Sequence, residues 1–445
     1  MQYFYFDKEQ EFTLEHLAEF IKKHKSHMRR YKELANMYEG DHEILHKDNK
    51  APFKPDNRLV VNFAKYIVDT LNGYFIGNPI KTTHTNEQVA EYLEFVEKYN
   101  NQDDNNAELA KMCSIFGHAY ELVYLNEQAQ IGITYIKPTE AFIVYDNSIV
   151  KRPLFGVRYS VNTDGEIVGT YSDNAYIYYF KEGSNGLMII DQQPNYFGDV
   201  PLIEYVENAE RQGSFENVIT LINAFNNAIS EKANDVDYYA DAYLKVLGVE
   251  LTDEQLKQLR DSRIFNVSGD NGNEIIIDFL SKPNSDTTQE NLIDRLERLI
   301  YHISMVANIN DENFGNASGI SLKFKLQSMN NLCMTKERKF TAGMNKRWQL
   351  IANVPNSKIG QDDWVGIKYR FTRNIPSNEL EETQIAGNLA GITSKETQLK
   401  VLSVVEDVTE EMKRIEEEQG SIDLFGADED EQLLEEYNRP NNQSD

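Results

Sequence analysis

The chain has 445 residues, with 72 Asp and Glu against 45 Lys and Arg and a formal net charge of −27. That length exceeds one simple core and points to two or three domains, and 40% hydrophobic with 26% charged residues excludes a disordered chain. The acidity argues against nonspecific wrapping of nucleic acid, because phosphate contacts need Lys and Arg. Only Cys113 and Cys333 occur, far apart and without metal-ligand spacing, which fits a reducing compartment. Met1 to Asp7 lacks the apolar core of a secretory signal, and no apolar run reaches the ~20 residues of a membrane span. The expectation is a cytosolic protein.

Thr13 to Tyr38 carries Leu14, Leu17, Ile21, Tyr31, Leu34 and Tyr38 at helical spacing, and its basic cluster Lys22 to Arg30 reads as a solvated face. Lys47 to Pro55 is a polar loop. Val60 to Phe63 leads into a helix that stops at Gly77-Asn78-Pro79. Glu87 to Tyr99 and Ala107 to Phe116 are two further helices. From Ala119 to about Pro201 the period becomes two. Strands are expected at 121–125, 131–136, 141–145, 156–161, 175–180 and 187–190, with turns at Asn126, Asp146-Asn147, Asp164-Gly165 and Ser184 to Gly186. The body is therefore α+β.

Ser214 opens a long helix in which Phe215, Val218, Ile222, Phe225, Ile229, Lys232, Val236, Tyr239, Tyr243 and Val246 step by three and four. Two readings stand level: a helix buried along its own domain, or one packed against neighbours in an assembly. Asp253 to Arg260 reads as a short helix, and Arg263 to Val267 and Glu274 to Phe279 as strands around the turn Gly269 to Asn273. Thr287 and Glu290 match a capping box that opens a helix with Leu292, Leu296, Leu299, Ile300, Ile303 and Ala307 on one face.

After an Asn/Gly-rich break at 308–319, a helix runs to about Val354. From Ile320 to Ile351 it carries Lys323, Lys325, Lys336, Arg338, Lys339, Lys346 and Arg347 against Glu337 alone. At helical spacing Lys325, Lys336, Lys339, Lys346 and Arg347 share an arc of about 100°, next to the apolar arc of Leu322, Leu326, Met329, Cys333, Phe340, Met344 and Ile351. Trp364 to Phe371 suits a strand, and Glu379 to Glu418 two or three helices parted near Gly391. Residues 406–445 hold 15 Asp and Glu against Lys413, Arg414 and Arg439, a net of −12, and end in a solvated acidic tail.

No phosphate-binding loop, dinucleotide fingerprint or nucleophile elbow is present, and the eight His are scattered. Asn308 to Asn313 lacks the glycine and final Glu of a calcium loop. No catalysis, cofactor or metal is expected.

Four segments resemble the portal proteins of tailed bacteriophages, in particular siphophages of Gram-positive hosts: Asn57–Pro79 (NRLVVNFAKYIVDTLNGYFIGNP), Phe116–Tyr124 (FGHAYELVY), Ile136–Asp146 (IKPTEAFIVYD) and Pro153–Tyr159 (PLFGVRY). Their order, followed by helix, small α/β insertion, helix, loop and helix, carries the likeness over roughly residues 28–418. The resemblance implies a portal fold: after a short segment 1–27, an α/β wing at 28–213 and 320–375, stem helices at 214–248 and 286–307, a clip at 249–285, a tunnel loop at 308–319, a helical crown at 376–419 and the tail 420–445.

It also implies a ring, typically of twelve subunits, at a capsid vertex in the virion, assembled in the host cytoplasm, with double-stranded DNA passing through its channel. The implied partners are the terminase large subunit, which would supply the ATPase, the major capsid and scaffolding proteins, and a head-completion adaptor. No membrane is involved. Asn308, Asn310, Asp311, Glu312, Asn313, Gly315, Asn316 and Gly319 would form the DNA-facing loop, with acids to let phosphate slide, amides for weak contacts and glycines for movement. Phe215, Ile222, Phe225, Ile229, Val236 and Tyr243 would pack the stem helix. Lys323, Lys325, Lys336, Lys339, Lys346 and Arg347 would contact DNA or a neighbouring subunit. Most of that stripe is expected to meet protein, with Lys323 and Lys325 nearest DNA. The rival readings are a non-ring scaffold recruiting partners through its acidic tail, and a DNA-modifying enzyme.

Overall fold

Alternating and continuous apolar runs between 118 and 206 build one antiparallel sheet and the antiparallel part of a second, mixed one. The computed structural model describes residues 4–51, 54–240, 244–247, 276–279, 286–309, 319–355, 357–374, 379–405 and 407–418. Strand β1 (Phe4–Phe6) is followed by helices α1 (Leu14–Lys25), α2 (Met28–Glu39) and α3 (Phe63–Ile76), the short strand β2 (Lys81–Thr83), and helices α4 (Glu87–Tyr99) and α5 (Gln102–Phe116). The strands then run β3 (His118–Leu125), β4 (Ile131–Ile136), β5 (Ala141–Asp146), β6 (Pro153–Val161), β7 (Ile167–Ser172), β8 (Tyr176–Gly183), β9 (Gly186–Pro194) and β10 (Leu202–Val206). One sheet has the order β1-β5-β6-β7-β8-β9, with β1 parallel to β5, and the other the order β10-β3-β4.

Strand β5 reads as an unbroken apolar run because both its faces are covered. Phe142 and Val144 join the core under α1 with Leu17, Phe20, Val157 and Phe180. Ala141 and Ile143 face the other way, into the core with Tyr120, Ile136, Val200 and Leu202. Buried His24 on α1 locks that helix to the sheet: its Nε2 donates to the Pro138 carbonyl at 2.8 Å and its Nδ1 accepts from the Tyr159 hydroxyl at 2.8 Å. Burial lowers its pKa to about 4.

Helix α6 (Ile219–Ala240) follows a 3-10 turn at Glu216–Val218. The expected helix to Val246 is corrected, because β11 (Leu244–Leu247) is a strand paired antiparallel with β12 (Ile276–Phe279). The heptad-like apolar run misleads here, since its last members take part in a non-local pairing. Helix α7 (Asp286–Ser304) and the 34-residue α8 (Gly319–Ala352) follow. The expected strand at 364–371 shrinks to β13 (Lys368–Arg370) after a 3-10 turn at Asp363–Gly366, and β13 pairs with β2. Helices α9 (Glu379–Asn388) and α10 (Lys395–Leu399) are separated by Gly391 at φ +78°.

The chain divides into two units, residues 1–310 with 325–374, and residues 311–324 with 375–445. In the second, Ser403 donates its backbone N–H to Glu382 at 2.8 Å. Ser403 is the main cause, and Lys323 a lesser one, holding the Glu382 carboxyl below its usual range. No helix among the described residues is long and apolar enough to cross a membrane.

Candidate functional site

The larger unit contains the helix pair α6 and α7, the start of the 308–319 segment and most of α8. On α6 the apolar seam divides. Phe215 and Val218, just before the helix, and Ile222 and Phe225 on it are buried, while Ile229 is half-buried and Val236 is 62% exposed. Tyr243 lies outside the described residues. The reading of a helix buried along its own domain therefore fits the first half of this run, and Val236 leaves the second exposed in the single chain.

Where the apolar contact ends, a polar one begins. Asn226, Ser230 and Asn234 are buried on α6, four residues apart. They accept the backbone N–H groups of Val61, Leu59 and Asn57 at 2.8, 2.9 and 2.6 Å. The match is geometric: four helical residues rise ~6 Å, and two residues of extended chain span ~6.6 Å. Asn57 also donates through Nδ2 to Asp237 at 2.6 Å, and Lys50 pairs with Glu231 at 2.7 Å. A segment with no strand partner among the described residues thereby has its alternate donors satisfied by one helix.

Helix α7 packs on this assembly through Ile293, Leu296 and Ile300, all buried. Gln289 donates to Asp235 at 2.8 Å, and Lys232 pairs with Glu290. Leu292, Leu299 and Ile303 lie on the adjoining stripe and remain 50, 36 and 44% exposed. After α7, Met305 takes φ +59°, and Tyr66 of α3 clamps the chain. Its hydroxyl donates to the Ala307 carbonyl at 3.1 Å and accepts the Ile309 N–H at 2.9 Å. The Tyr301 ring packs edge-on against both Phe63 and Tyr66, at centroid distances of 5.7 Å. Of the expected loop residues, Asn308 is half-buried and Gly319 begins α8; Asn310, Asp311, Glu312, Asn313, Gly315 and Asn316 lie outside the described residues.

The basic stripe of α8 requires the main correction. Lys336 and Arg347 do not face outward. Lys336, 2% exposed, pairs with Glu207 of the segment after β10 at 2.7 Å and donates to the Ala110 carbonyl and Ser114 hydroxyl at 2.9 and 2.5 Å. Arg347, wholly buried, donates through Nε and Nη2 to Glu121 of β3 at 2.8 and 2.5 Å and to Asn106 at 2.7 Å. Burial alone would depress the Arg347 pKa; the Glu121 charge reverses that and raises it. Lys346 pairs with Asp199 at 2.5 Å. Lys339 is half-buried, and Lys323 and Lys325 are exposed.

The physical reason is that Lys336 and Arg347 flank the apolar arc, so burying that arc carries their stems inward and requires internal acids. Gly343 serves the same packing: a Cβ there would stand 2.5 Å from the Tyr205 ring, which lies against Phe340 at 4.8 Å. A second buried cluster stands beside it. Glu204 accepts from His118 Nδ1 at 2.8 Å and Tyr145 at 2.7 Å and pairs with Arg211. Burial pushes the Glu204 carboxyl up, but Arg211, His118 and Tyr145 outweigh it and hold it at about 2. Arg211 takes φ +56° where its carbonyl meets Gly117, at which a Cβ would stand 2.1 Å from that oxygen. Neither the Tyr66 clamp nor the Asn226, Ser230, Asn234 ladder is evident from composition, although the polar i, i+4, i+8 spacing was a readable signal for the ladder.

The family described as "Phage portal protein, SPP1 Gp6-like" matches residues 17–423. A "Portal protein" of Clostridium phage phiCD119 is 25% identical over 410 residues, covering 84% of this chain and 88% of its own length. A "Portal protein" of Bacillus phage SPP1 is 25% identical over 417 residues, covering 85% of this chain and 80% of its own.

Proposed function

The chain belongs to the SPP1 Gp6-like family of phage portal proteins, and from that membership we propose that it closes into a ring at one capsid vertex, through which double-stranded DNA is packaged and later ejected. Its role is structural. The observation that supports assembly is the stripe Leu292, Leu299, Ile303 on α7, which with Val236 on α6 leaves apolar surface exposed in the single chain. Exposed apolar stripes of this kind mark contact with another surface, and a ring supplies one to every copy.

In this reading α6 and α7 line up as stem helices. The 249–285 segment is the clip that meets the terminase motor during packaging and the head-completion adaptor afterwards. The remaining body meets capsid and scaffolding proteins, and the 376–419 segment is the crown. Residues 308–319 approach the DNA. Asp311 and Glu312, with no Lys or Arg in that segment, repel phosphate where cations would grip it. Tyr66 fixes the point from which the segment departs.

Leu299→Asp with Ile303→Asp tests assembly, because the two side chains are 36 and 44% exposed, and a thermal melt verifies that the variant folds. Native mass spectrometry should show the wild-type ring replaced by smaller species. Rings unchanged by both substitutions would remove this stripe from the assembly. Deleting 310–316 should leave rings intact and impair packaging of DNA into heads, and normal packaging by that deletion would contradict the loop's assignment.

A further inference from the structure

We propose, resting on the ring reading above, that a stripe of four cations at the α1–α2 corner of one copy docks on an acid-edged aromatic stripe of α4 in the next copy. At the corner, Ser26 (φ −66°, ψ −20°) and His27 (φ −85°, ψ −11°) both stay right-handed helical, so the chain winds from α1 into α2 without reversing. Lys22, Lys25, Arg29 and Lys32 therefore follow steps of three, four and three on one face, an arc of about 80°. All four are exposed, and among the described residues none makes an ion pair within the chain. The neighbouring Lys23 is tied to Glu19 at 2.7 Å, and Glu33 lies alongside the stripe. The adjoining face is fixed by buried Leu17, Ile21, His24, Tyr31 and Leu34, so the cations stand beside it on a rigid support.

The α4 surface has the complementary chemistry. Tyr92, Phe95 and Tyr99 stack along the helix, with ring centroids 6.5 and 6.0 Å apart and ring planes within 21° and 23° of each other. Phe95 and Tyr99 are 54% and 46% exposed. A hollow of about 170 Å³ beside them is closed by Val96, Ile131 and Val354. Glu91 stands beside the rings on the helix, about 40° round from Phe95, and Glu87 lies about 40° further round at the helix start. Lys98, between them in angle, is tied to Glu94 at 2.5 Å, and Glu127 stands on the β3–β4 turn, whose Asn126 donates to the Tyr99 hydroxyl at 3.0 Å. Ordered rings edged by carboxylates suit guanidinium and ammonium groups, which stack on aromatic faces and pair with acids.

The occupant is a second copy because both patches are on this chain, carry opposite charge and have similar length. The cationic stripe spans ~15 Å of helix and the α4 stripe from Glu87 to Tyr99 ~18 Å. A ring interface joins two different patches of the same chain.

The test is a charge swap on exposed residues. One variant carries Lys25→Glu with Arg29→Glu, the other Glu87→Lys with Glu91→Lys, and a third carries all four changes. Each chain is melted to verify its fold, then weighed by native mass spectrometry across a concentration series. Either pair alone should raise the concentration needed for half-assembly by more than about tenfold. An equal mixture of the two pairs restores complementarity at every junction by alternation, and the four-change chain restores it in every copy, so both should recover rings. Wild-type rings that persist in both pair variants, or pair variants that fold but recover in neither the mixture nor the four-change chain, overturn this interface and leave the ring reading standing. A wild-type chain that forms no ring overturns that reading and this interface with it.

Discussion

Lys336 and Arg347 on α8 point into the larger unit, whereas Lys22, Lys25, Arg29 and Lys32 at the α1–α2 corner point to solvent, although both sets repeat at helical spacing. The difference lies in where each stripe sits relative to its apolar arc. Taking 100° per residue, Lys336 and Arg347 fall about 20° and 40° from Lys325, and the apolar arc of α8 begins at about 40°. Burying that arc therefore drags both cations inside, where Glu207 and Glu121 receive them. At the corner only Lys32 stands as near as about 20° to buried Ile21, while Lys25, Arg29 and Lys22 lie about 40–100° beyond it, and the stripe stays wet. A basic stripe is thus a binding surface only if the packed face leaves it outside.

The largest expected effect is on the inward set. Arg347→Ala leaves Glu121 buried and uncompensated and should cost about 3–5 kcal/mol in thermal or denaturant unfolding. Arg347→Met with Glu121→Leu removes both charges and should recover much of that loss. A change below about 1 kcal/mol for Arg347→Ala would mean that the guanidinium is not held as described.

Acid should next separate the two regions. His24, under the corner, has its folded pKa lowered to about 4 from an unfolded value near 6.5. The unfolded chain takes the proton first, so this contribution is fully present above about pH 6.5 and is lost as pH falls towards 4, about 3 kcal/mol in all. Glu204, held at about 2, adds a further loss as pH falls from about 4.5 to 2. His24→Gln should reduce the upper step, to which His118, His42 and His27, also lowered by burial, contribute, and leave the lower one, as read by urea melts across pH.

Tyr66→Phe should matter less. It removes the acceptor for Ile309 N–H and the donor to Ala307 O, about 1 kcal/mol, and hydrogen exchange at Ile309 should accelerate without a matching change at Phe225. The smallest effect belongs to the outward stripe. Lys25→Ala with Arg29→Ala should shift monomer stability by less than about 0.5 kcal/mol, so a larger loss would mean that these cations also serve the fold.

Much of the fold was readable from periodicity: helices near 63–76, 87–99 and 319–352 and most strands between 118 and 194 stand where expected, whereas the single helix expected at 13–38 is two, parted at Ser26 and His27. The likeness to portal proteins held over nearly the whole chain. Strands β7 and β10 were missed because their short runs carry little alternation of their own, and they form by pairing with β6 and β8, and with β3. The destinations of Lys336 and Arg347 were hidden because their acids arrive from 129 and 226 residues away along the chain. Their position at the border of the apolar arc was visible, and it was the clue that they would be buried.

The most direct test of the central claim is imaging of the purified full-length chain across a concentration series. The account predicts closed rings with a central channel, every copy making the same junction with the next. A chain that stays monomeric or dimeric at every concentration would contradict it.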